Sequence, residues 1–155
     1  AAHRISRISL IMKRRKFIKS CCYTTIGITL AGSFLQSCGS IYYASVSRNA
    51  NKLVIAKSEF WQLKKDKKVY RSFVLIKTED SEFPICIYKI KEDTYVASLL
   101  KCTHRSCELN VGGGIYSCPC HGSEFSVQGD VLEGPAEDKL KTFKTETDNE
   151  NIYLS

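Results

Sequence analysis

The sequence predicts an all-β body folded as a small antiparallel sandwich. Three observations carry that reading. Beyond about Leu53 the chain is a series of short runs rich in Ile, Val and Tyr. Charged turn material separates those runs, and none of them has a convincing helical period. Many short strands with frequent turns bury their apolar faces most readily as a sandwich or barrel-like fold.

Taken in order, residues 57–64 have room for one or two helical turns. Residues 69–76 alternate loosely between apolar and polar and read as one strand. Residues 84–90 and 94–100 read as two more, flanked by the turn residues Glu79, Asp80 and Ser81 and by Lys91, Glu92 and Asp93. Shorter strands are expected at 114–117, 124–127, 140–145 and 151–154. Lys64, Lys65, Lys67 and Lys68 read as a solvated hairpin tip, with a docking patch for a redox partner as the alternative. Cys86 reads as a buried strand residue and Trp61 as core or interface packing. No internal repeat and no low-complexity tract interrupts the series.

With 155 residues the chain holds one domain once a targeting segment is subtracted. The formal charge of +7 is local. Arg4, Arg7, Lys13, Arg14, Arg15, Lys16 and Lys19 precede every acidic residue, and the 16 other basic groups balance 16 acidic ones. A neutral body gives no case for nucleic acid as a partner. From Met12, the only Met and the expected true start, the chain has a basic start, an uncharged run at 21–35 and small residues at 37–39. Residues 1–37 therefore read as an export signal. RRKFIK at 14–19 resembles a twin-arginine signal. LQSC at 35–38 resembles a lipoprotein cleavage site, which would make Cys38 the lipid-modified first residue. The uncharged stretch between Lys19 and Arg48 is also long enough to stay as an amino-terminal anchor, though it is weakly apolar. Residues 38–52, rich in Ser and Asn, read as a linker, and 53–155 as the body. Each version places the body on the periplasmic side of a bacterial cytoplasmic membrane or in the periplasm, where disulfides persist.

The informative segment is CTHRSC at 102–107 followed by CPCHGS at 118–123. It gathers two of the three His and four of the eight Cys, on two loops fed by strands. Single buried thiols and core histidines are common, but not in two mirrored patterns. A scaffold of disulfides alone leaves both His unexplained. Tetrahedral zinc accepts two thiolates and two imidazoles, yet a single residue between Cys102 and His104 grips one metal poorly, and two Cys are left over. A binuclear iron–sulfur cluster takes one ligand per iron from each loop, with Cys102 and Cys118 on one iron and His104 and His121 on the other.

These motifs resemble the Rieske iron–sulfur family, which carries Cys-x-His on one loop and Cys-x-x-His on the next. Within it they resemble the disulfide-containing form found in quinol–cytochrome reductase subunits and arsenite oxidase small subunits. The quinol-oxidising form reads CTHLGC and CPCHGS, so the second loop matches throughout and the first differs at Arg105 and Ser106. The resemblance covers roughly residues 53–155. It implies a Rieske-type antiparallel β-sandwich with a small cluster-binding subdomain formed by loops. It implies one 2Fe-2S cluster on Cys102, His104, Cys118 and His121, with Cys107 and Cys120 as the inter-loop disulfide. GPA at 134–136 resembles the third loop, which brings Pro135 over the cluster. Ser123 matches the position whose hydroxyl donates to a bridging sulfide. Phe125 stands where the highest-potential members carry Tyr, so the expected potential is intermediate.

The function implied is one-electron transfer by an oxidoreductase subunit that does not itself act on a substrate. Imidazole ligands leave the cluster less negative than four thiolates would. Their effect is a potential of roughly −150 to +300 mV, against about −400 mV for all-Cys plant-type centres. If the outer nitrogens of the His ligands face solvent, reduction is expected to raise their pKa values and couple electron to proton uptake. The expected partner is a redox protein such as a cytochrome or an oxidoreductase large subunit, with the membrane reached through a lipid or an amino-terminal anchor. Arg105, and the 13 residues between His104 and Cys118, depart from typical quinol-oxidising subunits and weaken the case for a lipid-buried quinol pocket. Two other classes are a ring-hydroxylating dioxygenase ferredoxin, which typically lacks the disulfide pair, and a zinc-stabilised extracellular binding module.

Overall fold

Uninterrupted apolar stretches such as 73–76 and 85–87 mark a sheet covered on both faces. The computed structural model describes residues 41–155, so the export signal and Cys38 lie outside the described residues. The strands are β1 (Ser47–Asn49), β2 (Lys52–Ala56), β3 (Trp61–Lys64), β4 (Lys67–Tyr70), β5 (Phe73–Ile76), β6 (Ile85–Lys91) and β7 (Thr94–Leu99). They continue as β8 (Asn110–Gly112), β9 (Ile115–Ser117), β10 (Glu124–Ser126), β11 (Val131–Glu133), β12 (Thr142–Phe143), β13 (Thr145–Thr147) and β14 (Asn151–Leu154). An outer sheet runs β1-β2-β14-β13, a central sheet β12-β7-β6-β5 and a third sheet β11-β10-β9-β8, while β3 and β4 form a separate ribbon. All of these strand pairs are antiparallel.

The period-two alternation of side chains sends the central strands into two different cores. Val74, Ile76, Ile85, Ile87 and Ala97 pack with Ile55, Ile152 and Leu154 of the outer sheet. Leu75 and Cys86 point the other way and pack with Leu109, Tyr116, Phe125 and Leu140. The loops of interest therefore stand on a sheet that is itself held from behind.

Several expectations are corrected. The strand read over 69–76 is two strands, because the chain breaks at Arg71: its N–H donates to Phe60 O, and its guanidinium donates to Glu59 O and Gln62 Oε1. The strand read over 140–145 also divides. Phe143 pairs with the central sheet and Thr145 with the outer one, and the crossing is fixed by paired bonds between Lys144 and Ser155. Residues 57–64 are helical only as one 3-10 turn, Lys57–Phe60, before β3 begins. The residues read as linker already belong to the folded body from position 41. Ala44 is buried in the first core, Tyr43 bridges Leu75, and Ser47–Asn49 pairs with β2. The strands expected at 114–117 and 124–127 are present as β9 and β10, and β8 and β11 complete the sheet that carries the cluster-binding loops. Among the described residues no helix is long and apolar enough to cross a membrane.

Candidate metal centre

Two six-residue loops carry the motif. Loop one, residues 102–107, lies between Lys101 and Glu108, which bridge each other; loop two, residues 118–123, lies between Ser117 and Glu124, which also pair. Each loop folds by the same two backbone bonds. Cys102 N–H donates to Cys107 O and Ser106 N–H to Cys102 O, at 2.9 Å each; Cys118 N–H donates to Ser123 O at 2.8 Å and Gly122 N–H to Cys118 O at 3.1 Å. Both turns close through a residue in the left-handed region, Ser106 at φ +57° and Gly122 at φ +77°. The backbone thus repeats one template, with the histidine two residues after the first cysteine in loop one and three after it in loop two.

This template brings the motif side chains together. The His104 and His121 rings lie 4.9 Å apart at 86°. Cys102 and Cys118 are free and buried. Burial pushes the Cys118 thiol up. The Cys120 N–H, the Cys102 thiol and the His121 N–H together outweigh it and hold the group below the usual thiol range. Cys107 and Cys120 are joined as a disulfide with their Cα atoms 6.5 Å apart. The sulfurs of Cys107, Cys118 and Cys120 crowd within 4.8 Å of one another, but two of the three are spent in the disulfide and have no thiolate to offer.

The third segment closes the site from outside. A Cβ on Gly134 would lie 2.4 Å from Ser123 Cα, so only glycine permits this contact, and its φ of +106° needs glycine as well. Ser123 is fully buried, and its Oγ accepts the Ala136 N–H at 3.2 Å, which leaves its hydroxyl proton free to donate elsewhere. Pro135, between the two, is exposed. Thr103 Oγ1 donates to Asp138 O at 2.7 Å and ties loop one to the same segment. Phe125 is fully buried in β10 behind loop two. Sequence reasoning missed the contact of Gly134 with Ser123, although a glycine beside a proline was its signal. It also missed the Thr103 tie, which has none.

The site leaves one polar atom unmet and two thiols free. His104 Nδ1 is buried with no hydrogen-bond partner, a cost of about 1–3 kcal/mol unless something else satisfies it. Two free thiols beside two imidazoles supply a soft and borderline donor set suited to iron–sulfur chemistry. The residues present fit such a group.

A β scaffold with two mirrored, disulfide-locked loops and a third loop against them defines a small metal-centre protein of the iron–sulfur class. The chain belongs to the Rieske [2Fe-2S] domain family, which matches residues 51–144. It is 39% identical over 56 residues to the cytochrome b6-f complex iron-sulfur subunit of Synechococcus sp. (strain JA-2-3B'a(2-13)), covering 35% of this chain and 33% of that protein. The corresponding subunit of Prochlorococcus marinus is likewise 39% identical over 56 residues, covering 35% of this chain and 32% of its own. The chain thus spans about one third of the length of the curated relatives it matches. Among solved structures, the cyanobacterial plasma membrane Rieske protein PetC3 from Synechocystis PCC 6803 is 31% identical. That match has a TM-score of 0.48 and covers 54% of this chain and 86% of that one.

Proposed function

We propose that this protein carries single electrons through one 2Fe-2S cluster held by the thiolates of Cys102 and Cys118 and the imidazoles of His104 and His121. When bound, the cluster supplies a centre that takes up and gives back one electron. The observation that carries the reading is the convergence of two buried free thiols and two adjacent imidazoles on loops locked by a disulfide. Backbone N–H groups of Cys120 and His121 aimed at the Cys118 sulfur favour its anionic form. The free proton of Ser123 and the contact of Gly134 with loop two support roles in tuning and shielding the centre, with Pro135, exposed beside Gly134, assigned to its cover. His121 and Arg105 are exposed, so an electron partner reaches the imidazole side without passing through the body.

The body, from about residue 41 onward, serves as a subunit that passes charge and does not act on a substrate. Its partner is a redox protein, such as a cytochrome or an oxidoreductase large subunit, on the periplasmic side of the membrane. Residues 1–37 export it, and a lipid on Cys38 or a retained anchor keeps it there. The disulfide supports this location, since such bonds form and persist outside the cytoplasm.

Spin resonance of the dithionite-reduced protein, with iron and acid-labile sulfide analysis, tests the assignment. A rhombic signal from two irons and two sulfides per chain is expected, lost in His104→Ala and His121→Ala. A colourless protein holding one zinc would overturn it. Phe125→Tyr should raise the midpoint potential, because a hydrogen bond of about 1 kcal/mol favouring the reduced state is worth roughly 40 mV for one electron.

A further inference from the structure

The β3–β4 ribbon joins none of the three larger sheets. Its register pairs Trp61 with Tyr70 and Leu63 with Lys68, which puts these four side chains on one face. Leu63 is 66% exposed and Tyr70 68%, and Val69 is exposed on the other face. Lys65 and Asp66, both at positive φ, close the hairpin with a two-residue turn. The tip holds four lysines against one acid. None of Lys64, Lys65, Lys67 and Lys68 forms an ion pair among the described residues. Lys68 instead lies over the Trp61 ring, 4.6 Å from its centroid.

The root of the ribbon continues this surface. Arg71 stacks over Tyr42 at 3.9 Å while its guanidinium donates to Gln62 of β3. Lys77 lies over Tyr43 at 5.0 Å. Ile41, Tyr42 and Tyr43 are all exposed, so apolar surface runs from the start of the described chain into the ribbon. Cations thus lie over aromatic rings on the ribbon, at its root and on the segment 41–43. Aromatic and aliphatic groups interleaved with unpaired ammonium groups match a bilayer interface: rings sit at headgroup depth, and lysines reach to the phosphates. An acidic protein face with an apolar centre is the competing occupant, and shielding that requires an added redox protein would identify it.

We propose that this ribbon, together with residues 41–43, seats on an anionic phospholipid surface and sets how the domain stands on the membrane. None of these residues belongs to the core beneath the two loops, so loss of the seat and loss of the cluster are separate outcomes. Trp61 is the only tryptophan, and its fluorescence reports the ribbon alone.

The test incorporates the full chain into phosphatidylcholine vesicles with and without phosphatidylglycerol. With phosphatidylglycerol, Trp61 emission should shift to shorter wavelength, brominated acyl chains should quench it, and iodide quenching should fall at least about threefold. High salt should reverse these effects, since exposed charges are screened. Replacing the four lysines (Lys64→Gln, Lys65→Gln, Lys67→Gln and Lys68→Gln) should raise the phosphatidylglycerol fraction needed by roughly tenfold or abolish the shift. Leu63→Gln with Tyr70→Gln should remove the acyl-chain quenching while the charge stays. Trp61 emission and iodide access that ignore phosphatidylglycerol would overturn the proposal. So would shielding that appears only when a redox protein is added, or quenching unaffected by either set of substitutions.

Discussion

In loop two the residue that turns the backbone left-handed is Gly122, for which that conformation costs nothing steric; in loop one the same position is Ser106. The two turns share their hydrogen bonds and their six-residue span, so the difference lies in what enforces the shape. Loop two is closed by its own sequence and buttressed at Ser123 by Gly134. Loop one takes a conformation its serine disfavours and is held by its surroundings: the Lys101–Glu108 bridge, the Thr103 bond to Asp138, and the disulfide to loop two. A mirrored site can thus be built from one self-templating half and one half that is held in place.

The greatest disturbance should come from Gly134→Ala. Its methyl would collide with the Ser123 backbone in a left-handed position, at a cost of about 4 kcal/mol in thermal or denaturant unfolding. A loss under about 1 kcal/mol would mean the third segment yields easily and loop two needs no buttress. Cys107→Ser combined with Cys120→Ser should cost about 3 kcal/mol, given the 13-residue separation. The comparison requires that loop one suffer more, seen as faster amide exchange at 103–107 than at 119–123. Equal exchange would show both loops to be self-supporting. The smallest effects are the most discriminating: Gly122→Ala should destabilise by about 1 kcal/mol, while Ser106→Gly should stabilise by about 0.5 kcal/mol once the extra freedom of the unfolded chain is subtracted. Two changes of the same sign would contradict the shared template.

Much of this was legible in the chain because the signals were local. The strands at 84–90 and 94–100 announce themselves through Ile, Val and Tyr between charged turns, and they appear as β6 and β7. The ligand-type residues were legible because six Cys and His in two patterns are hard to explain otherwise. What escaped depends on partners distant in sequence. β8 and β11 are three-residue strands beside glycines, too short for a period to show. The sheet crossing at Lys144 is set by Ser155. The matching turns of the two loops are made of backbone hydrogen bonds, to which side-chain identity is nearly blind, except at Gly122. Arg105, singled out as a departure, is exposed on the turn of loop one.

The free thiol of Cys86 bears on how such a chain survives oxidation. Burial drives it up to about 12 in spite of the neighbouring Tyr116 hydroxyl, which acts the other way, so almost none of it is thiolate at neutral pH and it cannot attack a disulfide. Cys102 and Cys118 are withdrawn from solvent as well, whereas Cys120 lies open to it. Once the body has folded, Cys120 is the most open of these sulfurs, and Cys107 and Cys118 both lie within 4.8 Å of it. A chain that folds first confines its bridge to this one cluster of sulfurs, whereas a chain oxidised while still loose has many wrong pairings open to it.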